Sequence, residues 1–172
     1  MERESAFEAL YEKHAADVLR FATYLSGNRS DAEDITAETF VRAWTAPEPI
    51  EMATVKGYLF TIARNLFLHG LRRASRHTSI DEEIPDPAPD SPSRLGQEAE
   101  LSAVLARLQT LPEVDRAALL MRAFDGLPYQ EIAQALGISL SAAKVKVHRA
   151  RAVLMKLRTA LQETPVGNGG RR

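Results

Sequence analysis

Apolar side chains recur along this chain at intervals of three and four residues, the period of one face of an α-helix. Phe7, Leu10, Tyr11, His14, Val18, Phe21 and Leu25 form one such stripe, and Gly27 supplies its stop. The next segment opens with Ser30-Asp31-Ala32-Glu33, a capping-box pattern in which the side chains of Ser30 and Glu33 each satisfy an orphan amide of the other. It is predicted to run to about Trp44, ahead of Pro47. A third helix is expected from about Thr54 to Arg73, with Leu59, Ile62 and Leu66 on one stripe and Tyr58, Asn65, His69 and Arg72 on another face.

The periodicity lapses between Ile84 and Pro92, where Pro85, Pro87, Pro89 and Pro92 alternate with acids and small residues. Proline removes backbone donors and disfavours helix at the residue before it, so an extended linker is expected here. Beyond it come a helix from about Leu95 to Thr110, one opened by Pro112 and a short one opened by Pro128. The Gly137-Ile138-Ser139 break follows, and then a long helix from about Leu140 to Leu161, capped by Ser139. A short helix, a Gly-containing turn and a second helix make a helix-turn-helix. No alternating strand pattern of useful length appears. The expectation is an all-α chain of two small helical domains, residues 1–73 and 95–162, joined by a flexible Pro/Asp-rich linker over 74–94. Residues 163–172 form a polar, Gly-rich disordered tail.

Composition narrows the class. With 172 residues, 45% hydrophobic and 26% charged, the chain has globular proportions. It has no cysteine, which excludes a disulfide framework, a Cys-ligated metal and a thiol nucleophile. No apolar run is long enough to span a bilayer and the first residues alternate acids with bases, so a soluble, intracellular protein without membrane insertion is expected. The formal net charge of −1 is unevenly distributed: 9 bases against 11 acids over 1–73, 2 against 7 over 74–100, and 11 against 5 over 101–172. Between 137 and 158 there are six bases and no acid, so a nucleic-acid-reading surface is to be sought there.

In a helix-turn-helix the second helix enters the major groove. Lys144, Val145, His148 and Arg149 fall on adjacent positions of that helix, with Lys146 and Arg151 placed to meet phosphates. Arg149 and Lys144 can donate to guanine, while Val145 can offer apolar contact to a thymine methyl. In the first domain, Asp31, Asp34 and Glu38 share a helix face, which fits a basic protein partner, a metal site or a plain solvated surface. No His or Asn joins them, and no metal or other cofactor is expected. The third helix interleaves Lys56, Tyr58, Phe60, Arg64, Asn65, Phe67, Arg72 and Arg73, a mixture suited to stacking and holding single-stranded DNA. Phe60 and Phe67 fit a core role equally well.

Taken together these segments resemble the extracytoplasmic-function (ECF) group of bacterial sigma-70-type sigma factors. The resemblance rests on DAEDITAETFVRAW over 31–44, GYLFTIARNLFLHGLRR over 57–73, and LPEVDRAALLMRAFDGLPYQEIAQALGIS followed by KVKVHRAR in the second domain. It implies a promoter-specificity subunit, not an enzyme, that binds core RNA polymerase, recognises −35 and −10 promoter elements and helps melt DNA. Asp31, Asp34 and Glu38 would dock on the clamp helices of the largest polymerase subunit, and the second domain on the flap of the second subunit. Lys56, Tyr58, Arg64, Asn65 and Arg72 would serve the −10 element, with Asn65 holding an extruded base. Lys144, Val145, Lys146, His148, Arg149 and Arg151 would serve the −35 element.

The resemblance further implies an anti-sigma partner and a cytoplasmic location, at the nucleoid when active and at the membrane when an anti-sigma factor holds it there. The chain departs from the family pattern at Ser141-Ala142-Ala143 and Val145, which bear on the −35 sequence read, at His69, which bears on −10 preference, and at Thr36-Ala37. A stand-alone helix-turn-helix regulator would carry much the same second domain, and a nuclease-like enzyme could use the carboxylate face to hold Mg²⁺.

Overall fold

The computed structural model describes residues 1–46, 53–77 and 95–163. The proline-rich stretch and the tail from Thr164 lie outside the described residues, so the expectations placed on them are not addressed by the fold. Among the described residues there are seven helices and no strand: α1 (Glu2–Ser26), α2 (Arg29–Thr45), α3 (Val55–His77), α4 (Leu95–Gln109), α5 (Glu113–Ala123), α6 (Tyr129–Leu136) and α7 (Leu140–Glu163).

The helix ends follow local chemistry. Gly27 closes α1 in the left-handed conformation (φ 71°) and returns its amide to the Thr23 carbonyl. The cap of α2 is Asn28, not Ser30: Asn28 is extended, and its side chain accepts the Asp31 amide at 3.0 Å. Ser30 already lies inside the helix. The capping box therefore does not form, and Glu33 instead receives Arg29 Nε at 3.2 Å, one turn away. α3 continues past Arg73 to His77, since Ala74, Ser75 and Arg76 contain nothing that breaks a helix. Pro112 and Pro128 stand one residue before the helices they introduce, where a missing amide costs nothing.

α1, α2 and α3 pack on one another around Val18, Phe21, Leu25, Phe40, Leu59, Phe60 and Ala63, all buried. Phe60 stacks on Phe21 with centroids 4.5 Å apart and planes at 14°, which places it in the core and not on a binding face. Phe7, Tyr11, Phe40 and Trp44 form a second aromatic group at the α1–α2 contact, with Arg3 over Trp44. α5, α6 and α7 pack around Leu120, Met121, Ile132, Leu136, Ala143, Val147 and Ala150. The spacing of Ala143, Val147 and Ala150 gives α7 a narrow, small-residue face, allowing it to lie close to α5 and α6.

The two helical groups are in contact: α1 meets α4 and α5, and α3 meets α6, so the buried residues form one continuous apolar cluster. Polar clasps ring this junction. Arg64 gives the Nε and Nη2 donors along one edge of its guanidinium to the two oxygens of Glu113, at 2.6 and 2.9 Å. Lys56 Nζ lies 3.0 Å from Asp17 and 3.1 Å from Asp125, and Arg20 reaches the same two acids. Gln109 donates to the Tyr24 carbonyl at 3.1 Å, Tyr24 packs on Phe124, and Arg116 lies over Phe67.

The buried Glu131 carboxylate of α6 accepts the Thr54 amide at 2.9 Å and the Thr54 hydroxyl, while Thr54 Oγ1 accepts the Gly57 amide at 3.0 Å. An anion at the start of α3 complements the helix dipole. Gly57 is needed for the approach: a β-carbon there would stand 2.2 Å from Glu131 Oε1.

Candidate nucleic-acid interface

α6 ends at Gly137 (φ 65°), and the Ile138 amide returns to the Ala133 carbonyl at 3.0 Å, the two features of a Schellman turn. Ser139 Oγ then accepts the Ala142 amide at 3.1 Å, capping α7 as its sequence predicts. The turn residues thus fix the direction in which α7 leaves, and the burial of Ala143, Val147 and Ala150 fixes its rotation. Lys144, Val145, His148, Arg149 and Arg151 are consequently exposed. Val145 is 51% exposed, an apolar side chain standing free on a basic helix. A shallow depression of about 350 Å³ is lined by Ser139, Ser141, Ala142, Val145, Lys146 and Arg149.

Lys146 differs from its neighbours. Its ammonium is 3.2 Å from Oδ1 of Asp115, a buried carboxylate on α5, and Arg149 Nη1 lies 3.9 Å from Oδ2 of the same group. Asp115 is absent from the residues that sequence reasoning selects. The available signal is an acid in register with the buried Ala118 and Leu119 of its own helix.

On the first helical group the five basic, aromatic and amide candidates divide. Asn65 and Arg72 line one open cavity of about 320 Å³ together with Leu68, His69 and Arg42. Arg42 comes from α2 and is the member that sequence reasoning missed. Lys56 and Arg64 are instead engaged at the junction, by Asp17 and Asp125 and by Glu113. Tyr58 is half-buried against the core. Burial alone would lower the Lys56 pKa, but its hydrogen bonds to Asp17 and Asp125 outweigh that and raise it, so it is held as a cation. Burial lifts the Asp125 carboxyl above its ordinary range despite the opposing pull of Lys56 and Arg20.

The acidic candidates also divide. Asp31 and Asp34 are exposed and border a groove of about 480 Å³ between α2 and α3, which is also lined by the half-buried Ile35, Leu66 and Phe67 and by the exposed Leu71 and Arg73. Glu38 is exposed but pairs with Arg42 at 3.0 Å. Among the described residues no group of three His, Asp or Glu side chains is placed to hold a metal ion, and no helix is long and apolar enough to cross a membrane.

A helix-turn-helix with a free basic face, joined to a three-helix unit with an acid-rimmed groove and an amide-lined cavity, defines a two-part helical DNA-binding protein. The sequence matches Sigma-70 region 2 over residues 10–77 and Sigma-70 region 4 over residues 101–154. It is 31% identical over 163 residues to the ECF RNA polymerase sigma factor SigL of Mycobacterium tuberculosis, covering 92% of this chain and 90% of that protein. It is 37% identical over 153 residues to SigE of Mycolicibacterium smegmatis, also an ECF RNA polymerase sigma factor, covering 85% of this chain but only 59% of that protein.

The fold is similar to that of the sigma factor RpoE from Bartonella quintana, solved in complex with the anti-sigma factor NepR (TM-score 0.73, 26% identity, 90% of this chain and 97% of that one). It is also similar to CnrH in complex with the cytosolic domain of CnrY (TM-score 0.67, 26% identity, 91% and 90%). The chain belongs to the ECF sigma factors of the sigma-70 family.

Proposed function

We propose that this chain is a promoter-specificity subunit: it binds core RNA polymerase, reads the −35 duplex with α7, and uses the α2–α3 unit to help melt the −10 element and hold an unstacked base. The observation that carries this reading is the presence, in one chain, of an exposed base-reading face on α7 and an acid-rimmed apolar groove on α2–α3. The first is a duplex reader, and the second is chemistry for a basic, partly apolar protein surface.

In this reading Asp31 and Asp34, with Glu38 alongside, meet the clamp helices of the polymerase, and the second helical group meets the flap. Asn65 and Arg72, with Arg42 and His69 around the same cavity, hold an extruded base. Amide and imidazole groups pair with base edges and the guanidiniums follow phosphates. Unpairing costs a few kcal/mol, which a cavity that binds only the unstacked base offsets by differential affinity. Tyr58, Lys56 and Arg64 border that surface once the clasps to α5 and its following loop are released. Lys144, Val145, His148 and Arg149 read base edges, while Lys146 and Arg151 lie toward the backbone.

Catalysis stays with the polymerase, and the chain itself needs no cofactor. A cytoplasmic location follows from these partners. The complex of RpoE with NepR supports an anti-sigma partner for this chain as well.

The test is transcription from a library of duplexes randomised at the −35 and −10 positions, using purified chain and bacterial core polymerase. Promoter-dependent transcripts are expected only with both proteins present; none from any library member would refute the proposal. Tight duplex binding without polymerase, in a gel shift, would favour the stand-alone regulator instead.

A further inference from the structure

Asp115 is 1% exposed at the side chain, yet it carries a carboxylate into the packing between α5 and α7. Such a group is costly to desolvate unless its lone pairs are satisfied, so its partners reveal what it is for. Oδ1 is satisfied by Lys146 Nζ at 3.2 Å. Oδ2 is buried and accepts no hydrogen bond, and Arg149 Nη1 lies 3.9 Å from it. Arg149 is 62% exposed at its side chain, so it stands largely in solvent while its Nη1 lies near a buried acceptor that has no hydrogen-bond partner.

We propose that Asp115 is a positioning residue for base reading, acting through Arg149. This inference rests on the proposal that α7 reads −35 duplex. The guanidinium is a rigid planar fork with five donors. When one edge closes on Asp115 Oδ2, the plane and direction of the other edge are set before DNA arrives. The free edge then presents two parallel N–H donors, the geometry that matches O6 and N7 of a guanine.

A flexible arginine must lose its rotamer freedom on binding, and an arginine held from behind has already lost it. Lys146 completes the arrangement by occupying Oδ1, which leaves Oδ2 for Arg149. The placement of Asp115 in the first turn of α5 also suits that helix's dipole, but a dipole role would not require the side chain to meet two residues of the reading helix.

The experiment uses the full chain with bacterial core polymerase and selects from a promoter library randomised over the −35 positions. Asp115→Asn keeps the size of the side chain and removes its charge. The variant is expected to lose about tenfold in preference for guanine at the one position whose preference Arg149→Ala abolishes. Preferences at other positions should be retained, and a thermal melt followed by circular dichroism should show a folded chain.

A uniform loss across all positions, or an unchanged guanine preference in folded protein, overturns the inference. If Asp115→Asn does not fold, Asp115→Glu keeps the charge but advances it by one methylene. An altered preference confined to the same position is then expected, and wild-type selectivity overturns the proposal. Failure of wild-type holoenzyme to select any −35 sequence would refute the functional reading itself, which is a different outcome.

Discussion

Gly57→Ala tests the junction between the two helical groups at its tightest point. The added methyl would stand 2.2 Å from Oε1 and 2.8 Å from Cδ of Glu131, well inside contact distance. Glu131 is 3% exposed, so the carboxylate has no solvent to swing into without opening the junction. Displacing it removes its bonds from the Thr54 amide and hydroxyl. A hydrogen bond to a charged group contributes about 1.5–3 kcal/mol net. Against this, alanine gains up to about 1 kcal/mol of helix propensity over glycine in a helix interior, and less in a first turn such as this one.

The balance is a loss of about 2–5 kcal/mol, falling on the contact between α3 and α6. Urea unfolding followed by circular dichroism measures it, and small-angle scattering shows whether the two groups separate before either melts. The cause is isolated by a double-mutant cycle: with Glu131→Ala the obstructing side chain is gone, and Gly57→Ala should become neutral or stabilising. A Gly57→Ala chain as stable as wild type, or the same loss in both backgrounds, would refute the reasoning.

Further consequences can be checked with the same material. Glu113→Gln should weaken the clasp on Arg64 and raise the affinity of the free chain for a single-stranded oligonucleotide, measured by fluorescence anisotropy; an unchanged affinity would show that the clasp does not limit access. Phe60→Ala removes a fully buried ring stacked on Phe21 and should cost about 3–5 kcal/mol in urea unfolding.

His14 is held below its ordinary pKa by burial first, then by the charges of Lys13 and Lys56, with Asp17 opposing. The unfolded chain therefore binds the extra proton more readily, and this contribution to stability is complete above the unfolded value of 6.5 and is lost as pH falls toward the folded one. Urea midpoints compared at about pH 7.5 and about pH 5.5 should show a smaller fall for His14→Gln than for wild type.

How far the fold was legible depends on the range of the forces that make each part. The helix periods, the Gly27 stop, the Ser139 cap and the helix-turn-helix all arise from residues within a few positions of one another, and pattern alone locates them. The α2 cap departs from the capping-box pattern because two capping residues, Asn28 and Ser30, stand close together. Asn28 takes the role since it follows Gly27 directly, where the chain is leaving the left-handed conformation and is extended.

The clasps could not be read the same way. Arg64 and Glu113 are 49 positions apart, Thr54 and Glu131 are 77 apart, and Arg20 and Asp125 are 105 apart. In sequence Lys56 and Arg64 look like any cations on an aromatic-rich helix. Only the packing of α3 against α6 and of α1 against α5 shows which acids they meet. For the same reason the α2–α3 cavity includes Arg42, which lies on a helix whose candidate site residues are all acids.

Four of the cations assigned to DNA are matched in the free chain by an acid of the second helical group: Lys56 by Asp125, Arg64 by Glu113, and Lys146 and Arg149 by Asp115. These matches differ in what DNA must do to them. Lys146 and Asp115 lie within one helical group, so their contact can persist while α7 occupies a groove. The pairs of Lys56 and Arg64 cross the junction, and phosphate can replace those carboxylates only if the two groups move apart. Separating the bidentate pair of Arg64 with Glu113 gives up charge-assisted hydrogen bonds worth about 1.5–3 kcal/mol each at most, once the water regained by both groups is counted, and less at this partly open edge. Any partner that holds α2–α3 and α5–α7 on separate surfaces removes that obstacle before DNA binds. The acid-rimmed groove bordered by Asp31 and Asp34 lies between α2 and α3 and is lined by neither junction cation, so a partner can dock there while the clasps are still closed.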